Sequence, residues 1–387
     1  MNNIQQHVCS AIPPHMWRNV AERASDEIRH RAHVTLAQMK TFVVARDNRL
    51  LQPVVTGSFQ KQRNVYDARK RQQLPGKLVL NEHLKRGRDV EVNEAYDGSG
   101  VVYDFYATLF GRNSIDGRGM RLDSTVHYGK GFQNAMWNGV QMIYGDGDGL
   151  LFLRFTKSLD IIGHELTHGV TQFASSLGYQ GQTGALNEHL SDAFGMMVKQ
   201  WKLGLTAKDS DWLIGAGLFG PGVHGKAVRS MAAPGTAYDD PVLGRDPQPA
   251  HMNQYNTTTD DNGGVHINSG ILNHAFYLAA IEIGGETWQS LGRVWYDTAT
   301  TKLSSTAQFQ DFATATVTVA GERFGIGGQV QKAILNAWAK VGLTVPTALL
   351  KPRAIHVVRS TPPAGGIFSR ILAWFRKLTH MTRASAA

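Results

Sequence analysis

The 387-residue sequence contains one cysteine, Cys9, which excludes an intrachain disulfide and a metal centre built from several cysteines. It also lacks an uninterrupted apolar run of about 18 residues, so it contains no conventional membrane-spanning helix. The first seven residues have neither the basic start nor the apolar core of a secretory signal. Any export from the cell would therefore use a route that the sequence does not show.

The net positive charge of the sequence is concentrated at the two ends of the chain. Lys and Arg outnumber Asp and Glu by 40 to 31, but residues 52–344 carry 26 basic and 27 acidic groups. Residues 345–387 carry 7 basic groups and no acidic one. A folded nucleic-acid-binding core needs its positive patch within the body of the protein. We therefore expect no nucleic-acid partner.

The residue pattern divides the chain into four parts. Pro13 and Pro14 predict an extended stretch, and a polar, helix-compatible run follows them. Val-rich strands and turns dominate up to about residue 150, and helical periodicity dominates from about 158 to 342. We therefore predict an α+β fold with a strand-rich N-terminal half and a helix-rich C-terminal half. The predicted boundaries give segments 1–50, 51–187, 188–344 and 345–387.

The strongest chemical signal is His164-Glu165-Leu166-Thr167-His168. Residues four apart on a helix lie on one face, about 40° apart around the axis. Both imidazoles can therefore bind one metal ion, with Glu165 beside them. The alternative is a chance pattern, which a few per cent of chains of this size would contain.

A catalytic zinc ion needs a third protein ligand and one open position. Glu188 and Asp192, again four apart, lie among apolar residues on the following predicted helix. Glu188 can bind the metal, and Asp192 can accept the N–H of a ligating histidine and fix its tautomer. A solvated acidic face is the alternative, but the apolar surroundings argue against it.

These residues carry a family resemblance. The His164–His168 motif, followed after nineteen residues by Glu188 within Gly184-Ala185-Leu186-Asn187-Glu188, resembles the thermolysin family of zinc endopeptidases. The blocks at 134–139, 144–149 and 261–270 also resemble the family, and the resemblance covers residues 52–344. The short N-terminal segment is similar to the protealysin-type branch. The resemblance implies a two-lobe metallopeptidase with the zinc-binding helix between the lobes.

The resemblance also implies roles for individual residues. One catalytic zinc ion is bound by His164, His168 and Glu188, and Glu165 is the general base toward a zinc-bound water. Tyr179 and His266 stabilise the oxyanion. Asp192, Asn187 and Asp261 are hydrogen-bond partners of the histidines, and Asn134, Ala135 and Arg229 hold the main chain of a protein or peptide substrate. Four apolar residues match the pocket that follows the cleaved bond, although plain core packing explains them equally well: Phe152, Phe155, Ile161 and Val228. They imply cleavage on the amino side of bulky hydrophobic residues.

The family's double calcium site is degraded in this sequence. Its acidic positions match Asp160, Lys199, Asp211, Leu213 and Ala216. Calcium needs six to eight oxygen ligands, and Lys199 places a cation where a cation should bind. We therefore expect weak calcium dependence and an ion pair between Lys199 and the remaining aspartates.

Residues 1–50 resemble a short propeptide, which implies a self-processing zymogen. One possibility is that Cys9, as a thiolate, occupies the open position of zinc. The other is an ordinary thiol on an inhibitory strand held by residues 12–14. Self-cleavage is expected near residues 40–60, where bulky apolar residues occur.

The C-terminal segment lies outside the resemblance. Residues 367–381 place apolar side chains on one helical side and basic ones on the other, as in helices that bind membrane surfaces or partners. A helix packed on the enzyme itself, or an unstructured end, are the alternatives. The resemblance implies a secreted monomer, with a cytoplasmic protein as the alternative location. A binding protein on a dead peptidase scaffold is disfavoured, because each catalytic position holds a competent residue.

Overall fold

The computed structural model of the chain describes residues 10–47 and 60–350. For residues 40–47 it describes the backbone alone. Cys9 and the amphipathic segment 367–381 lie outside these residues, as does most of the expected maturation region at 40–60. Among the described helices, none is long and apolar enough to cross a membrane.

Two helices open the described part of the chain, α1 (Pro14–Arg23) and α2 (Asp26–Asp47). Pro13 is extended, with φ −61° and ψ 149°, but Pro14 begins a helix. The prediction of an extended proline pair is therefore wrong at its second residue. The fixed φ of proline suits the first helical position, where its missing N–H costs nothing.

A five-stranded mixed sheet forms the core of the next segment. Its strands are β1 (Arg63–Asp67), β2 (Lys77–Asn81), β3 (Leu122–Val126), β4 (Ala135–Trp137) and β5 (Met142–Tyr144). The order is β2-β1-β3-β5-β4, with β3 parallel to both β1 and β5 and the outer pairs antiparallel. Strand β4 is therefore an edge strand. Helix α3 (Val90–Phe110) packs beside the sheet, and Gly111, with φ 64°, ends it.

The second half of the described chain is mainly helical. Helices α4 (Leu159–Ala174) and α5 (Gly181–Leu203) pack together and lead into α6 (Asp260–Ile283), α7 (Leu291–Thr301), α8 (Phe309–Phe324) and α9 (Gln329–Lys340). Two short ladders interrupt them, β6 (Leu213–Ile214) with β7 (Arg229–Ser230), and β8 (Asp239–Asp240) with β9 (Gly244–Arg245). The predicted α+β class is confirmed.

Two glycines let α4 and α5 approach closely. A Cβ built on Gly195 would lie 2.4 Å from the carbonyl oxygen of Asp160, and one on Gly163 would lie 2.9 Å from the Cα of Gly195. Neither distance is tolerated by a real side chain. Because neither position carries a side chain, the His164 motif of α4 can pack directly against the Glu188 segment of α5.

Candidate metal centre and active site

Three buried side chains converge between α4 and α5. The Nε2 atoms of His164 and His168 are 3.0 Å apart, and each lies 3.3–3.4 Å from a carboxylate oxygen of Glu188. Ligands of a tetrahedral zinc ion, each about 2.0–2.1 Å from the metal, are about 3.3–3.4 Å from one another. The donor set and its spacing therefore fit zinc.

The far sides of both imidazoles are held by polar side chains. The Nδ1 of His164 is 2.8 Å from Oδ1 of Asp192, and the Nδ1 of His168 is 3.0 Å from Oδ1 of Asn187 and from Oγ of Ser191. A carboxylate and an amide oxygen accept only, so both Nδ1 atoms carry the proton. Both Nε2 atoms then present lone pairs to the same point, which is the arrangement a cation requires.

Asp192 is itself fixed by Arg229. The guanidinium donates from Nε and Nη2 to the two carboxylate oxygens at 2.8 and 2.7 Å, and both side chains are buried. Burial alone would raise the pKa of Asp192, but Arg229 and His164 outweigh it and hold the pKa well below its usual range. The carboxylate therefore stays charged and continues to accept the N–H of His164.

Glu165 lies beside the three ligand residues. Its Oε2 accepts the backbone N–H of Trp137 at 2.9 Å, and its buried Oε1 has no hydrogen-bond partner among the described residues. Burial raises the pKa of Glu165, although His164 and His168 oppose this. A buried carboxylate with one oxygen held and the other unpartnered is suited to accept a proton.

Tyr179 and His266 both lie next to Glu188. The hydroxyl of Tyr179 donates to Glu188 and lies 3.3 Å from Nε2 of His266. The Nδ1 of His266 is 2.7 Å from Oδ1 of Asp261, whose Oδ2 accepts the backbone N–H of His266. Burial lowers the pKa of His266, but Asp261 and Glu188 outweigh burial and raise it to about 9. With Nδ1 held by Asp261, the Nε2 of His266 faces Glu188 and Tyr179.

The Asp261–His266 pair depends on an unusual start of α6. Residues 261–264 all have positive φ, between 52° and 82°. Two of the four are glycines, which adopt this conformation readily, and Asp and Asn tolerate it better than other residues. The left-handed turn places the Asp261 carboxylate over the first regular turn of the helix, within hydrogen-bonding distance of His266.

The segment Ser10–Ile12 lies along the edge strand β4. The backbone N–H of Ala11 donates to the carbonyl of Ala135 at 3.0 Å, and Asn134 exchanges two hydrogen bonds with the backbone of Ile12, at 2.9 and 3.1 Å. Arg229 donates to the carbonyl of Ala11 at 3.4 Å. The contacts to Asn134 and β4 therefore come from residues 11 and 12, and Pro14 already belongs to α1. The inhibitory role of this segment stays a prediction.

The four residues matched to the specificity pocket are all buried, none more than 1% exposed: Phe152, Phe155, Ile161 and Val228. Phe152 stacks on Phe155 and also contacts Trp17 of α1, with ring centroids 5.2 Å apart. Burial of this kind suits a covered pocket and core packing alike, so both interpretations stay open.

Lys199 lies among the residues that were matched to the family's calcium site. Its ammonium is 3.3 Å from Oδ2 of Asp160, 2.9 Å from the carboxylate of Asp211 and 3.2 Å from the carbonyl of Leu213. The predicted pairing of Lys199 with the two aspartates is confirmed. Burial lowers the pKa of Lys199, but the two aspartates outweigh it and raise the pKa, so the ammonium stays charged.

A second cluster of potential ligands lies away from this centre, at the start of α3. The Nδ1 of His127 is 2.8 Å from Asp146 and 3.3 Å from Glu91, and its Nε2 is 3.0 Å from Asp89. The hydrogen bond to Asp146 raises the pKa of His127 to about 9 against the effect of burial. Within the described residues this cluster is an ion-paired histidine.

Several site residues were not predicted from the sequence. Ser191 contacts His168, the side chain of Asn273 contacts Asp192, and the backbone N–H of Trp137 contacts Glu165. Ser191 could have been found from helical spacing, since it lies one turn after the second-helix residue Asn187. Asn273 is 81 residues away from its partner Asp192 and has no local signal.

The fold and this site define a two-lobe, metal-dependent peptidase. Family models described as "Thermolysin metallopeptidase, catalytic domain" and "Thermolysin metallopeptidase, alpha-helical domain" match residues 31–172 and 175–343. The chain belongs to the thermolysin family and is a zinc metalloendopeptidase.

Known relatives agree with this assignment. The chain is 50% identical over 339 residues to an extracellular metalloprotease of Pectobacterium carotovorum subsp. carotovorum, covering 87% of this chain and 97% of the relative. It is 39% identical over 287 residues to a thermolysin of Bacillus sp. (strain EA1), covering 72% of this chain and 50% of the relative. The precursor of protealysin from Serratia proteamaculans has a similar solved structure, with a TM-score of 0.80 and 49% identity, covering 87% of this chain and all of that one. The precursor neighbour supports a zymogen.

Proposed function

We propose that the chain is a secreted zinc endopeptidase that cleaves on the amino side of bulky hydrophobic residues and removes residues 1–50 from its own precursor. The observation that carries this proposal is the segment Ser10–Ile12, whose backbone is hydrogen-bonded to Asn134 and to Ala135 of β4. Since the segment uses the same backbone contacts that a peptide substrate needs, it marks the substrate cleft. The extracellular name of the half-identical relative supports secretion.

The main-chain contacts of this segment indicate how a substrate binds. Asn134 pairs with the N–H and C=O of one residue, while Ala135 and Arg229 hold the residue before it. On the side of the bound segment these contacts involve backbone atoms alone, so they fix its position without selecting its sequence. Selectivity then falls to the apolar side chains near Phe152 and Val228, which favour a bulky hydrophobic residue.

The chemistry follows from the groups around the ligand residues. When bound, zinc supplies Lewis-acid polarisation of the scissile carbonyl and a water acidic enough to lose a proton near neutral pH. Glu165, whose Oε1 has no partner among the described residues, would accept a proton from the attacking water and deliver it to the departing amine. His266, and Tyr179 on turning its hydroxyl from Glu188, would donate hydrogen bonds to the oxygen on which negative charge develops.

Cleavage-site profiling of a denatured protein mixture tests the specificity. We expect bulky hydrophobic residues at the new N-termini, no cleavage with a zinc chelator present, and none by the Glu165→Gln variant. Uniform residue usage at the new N-termini would refute the specificity while leaving the peptidase assignment intact. Cleavage by Glu165→Gln at the wild-type rate would refute the role of Glu165.

A further inference from the structure

A chain of buried hydrogen bonds runs from α7 to the zinc ligand His164. The Nε1 of Trp295 lies 2.8 Å from Nε2 of His189, and Nδ1 of His189 lies 2.8 Å from Oδ1 of Asn273. The Nδ2 of Asn273 donates to Oδ2 of Asp192 at 2.8 Å, and Asp192 accepts from His164. None of these five side chains is more than 1% exposed.

Each bond in this chain has only one possible direction. An indole N–H can only donate, so His189 must accept on Nε2 and carry its proton on Nδ1. The ionised carboxylate of Asp192 can only accept, so Asn273 must turn its NH2 group toward Asp192 and its oxygen toward His189. The requirements from the two ends agree, and no other tautomer of His189 or orientation of Asn273 satisfies every bond.

The carboxylate of Asp192 accepts as many hydrogen bonds as its two oxygens have lone-pair sites. Oδ1 of Asp192 accepts from His164 and from Nη2 of Arg229, while Oδ2 accepts from Nε of Arg229 and from Asn273. Four donors leave the carboxylate no freedom to rotate. The direction in which the Nε2 of His164 points into the metal site therefore depends on all four bonds, and Asn273 supplies one of them.

We propose that Asn273, His189 and Trp295 are positioning residues for zinc, which hold Asp192, and through it His164, in the geometry that binds the metal. The inference rests on the zinc site of His164, His168 and Glu188. It assigns to α6 and α7 a contribution to metal retention, although neither helix contributes a ligand.

The experiment measures the rate at which zinc passes to an excess of chelator, using the full-length chain in a Glu165→Gln background so that it stays whole. Outer partners of metal ligands typically contribute 10–100-fold to affinity. We expect Asn273→Ala to release zinc about tenfold faster. Trp295→Phe keeps the ring and loses only the N–H, and we expect about a threefold increase, in line with one neutral hydrogen bond.

Two matched controls separate positioning from general destabilisation. Trp338 is buried and stacks on Trp295. It donates its N–H to Thr316 at 2.9 Å, so it takes no part in the hydrogen bonds that lead to His164. Asn268 is a buried asparagine of α6 that bonds to the backbone of residue 256. We expect Trp338→Phe and Asn268→Ala to lose thermal stability but to release zinc at the parental rate.

A variant that carries both Asn273→Ala and Trp295→Phe gives the decisive comparison. If Trp295 acts through Asn273, Trp295→Phe should have no further effect on zinc release once Asn273→Ala is present. Equal acceleration by the controls, or an undiminished effect of Trp295→Phe in the double variant, would overturn the inference. If Trp295→Phe does not fold, Asn273→Ala against Asn268→Ala decides alone. A parental chain without zinc would instead refute the metal site itself.

Discussion

Trp17 should anchor the N-terminal segment to the peptidase. Its side chain is fully buried, and its ring packs 5.2 Å from Phe152. Truncating a buried Trp to Ala typically costs 3–5 kcal/mol. If the ring is exposed to water in the isolated N-terminal segment, its truncation weakens the binding of that segment to the peptidase. A loss of about 3 kcal/mol raises the dissociation constant by a factor of roughly 150.

The assay is inhibition of the mature enzyme by a peptide of residues 1–50, comparing the inhibition constants of wild type and Trp17→Ala. Arg18→Ala is the matched control, because Arg18 is partly exposed and lies 3.7 Å from the exposed Asp260, a pair of small expected value. We expect Trp17→Ala to raise the inhibition constant about 100-fold, and Arg18→Ala less than fivefold. A change below fivefold for Trp17→Ala would refute the anchoring role.

Three further outcomes are expected. Intact-mass time courses should show wild type losing about fifty N-terminal residues, while Glu165→Gln and chelator-treated wild type stay whole; processing by purified Glu165→Gln would contradict this. Lys199→Ala leaves Asp160 buried without its cation and should lower the free energy of unfolding in urea by about 2–3 kcal/mol, whereas an unchanged midpoint and slope would show the pair to be neutral. The raised pKa of His127, about 9, arises first from its hydrogen bond to Asp146, so its stabilising effect is complete below pH 6.5 and is lost as the pH rises through 9. His127→Gln should therefore remove about 2 kcal/mol of the stability difference between pH 6 and 9.5, and an identical pH profile for both chains would reject the ion-paired role.

The metal-binding helix was predictable because its chemistry is local. His164, Glu165 and His168 follow one helical face, and the apolar neighbours of Glu188 and Asp192 indicated that these acids had buried partners. Periodicity also gave the strand-rich and helix-rich halves. The pairing of Lys199 with the aspartates was predictable because the family resemblance placed this cation among the acidic positions of the calcium site.

Other features were hidden because they depend on contacts between distant residues. The bonds between Ile12 and Asn134 span 122 positions, and nothing in the short segment around Ile12 shows which strand edge it will meet. The Trp295–His189 bond spans 106 positions, and each residue alone is typical of a helical core. Pro14 was misassigned for a local reason, since proline suits an extended stretch and a first helical turn equally well.

The edge position of β4 has a consequence for the fate of the chain after processing. An edge strand offers unpaired backbone groups to any extended chain, including a second copy of the same protein. In the precursor, Ala11 occupies the carbonyl of Ala135 and Ile12 occupies the amide of Asn134. The N-terminal segment therefore covers part of this edge. If the proposed self-cleavage removes the segment, this part of the edge is exposed, and we expect the precursor to tolerate higher concentrations than the mature enzyme.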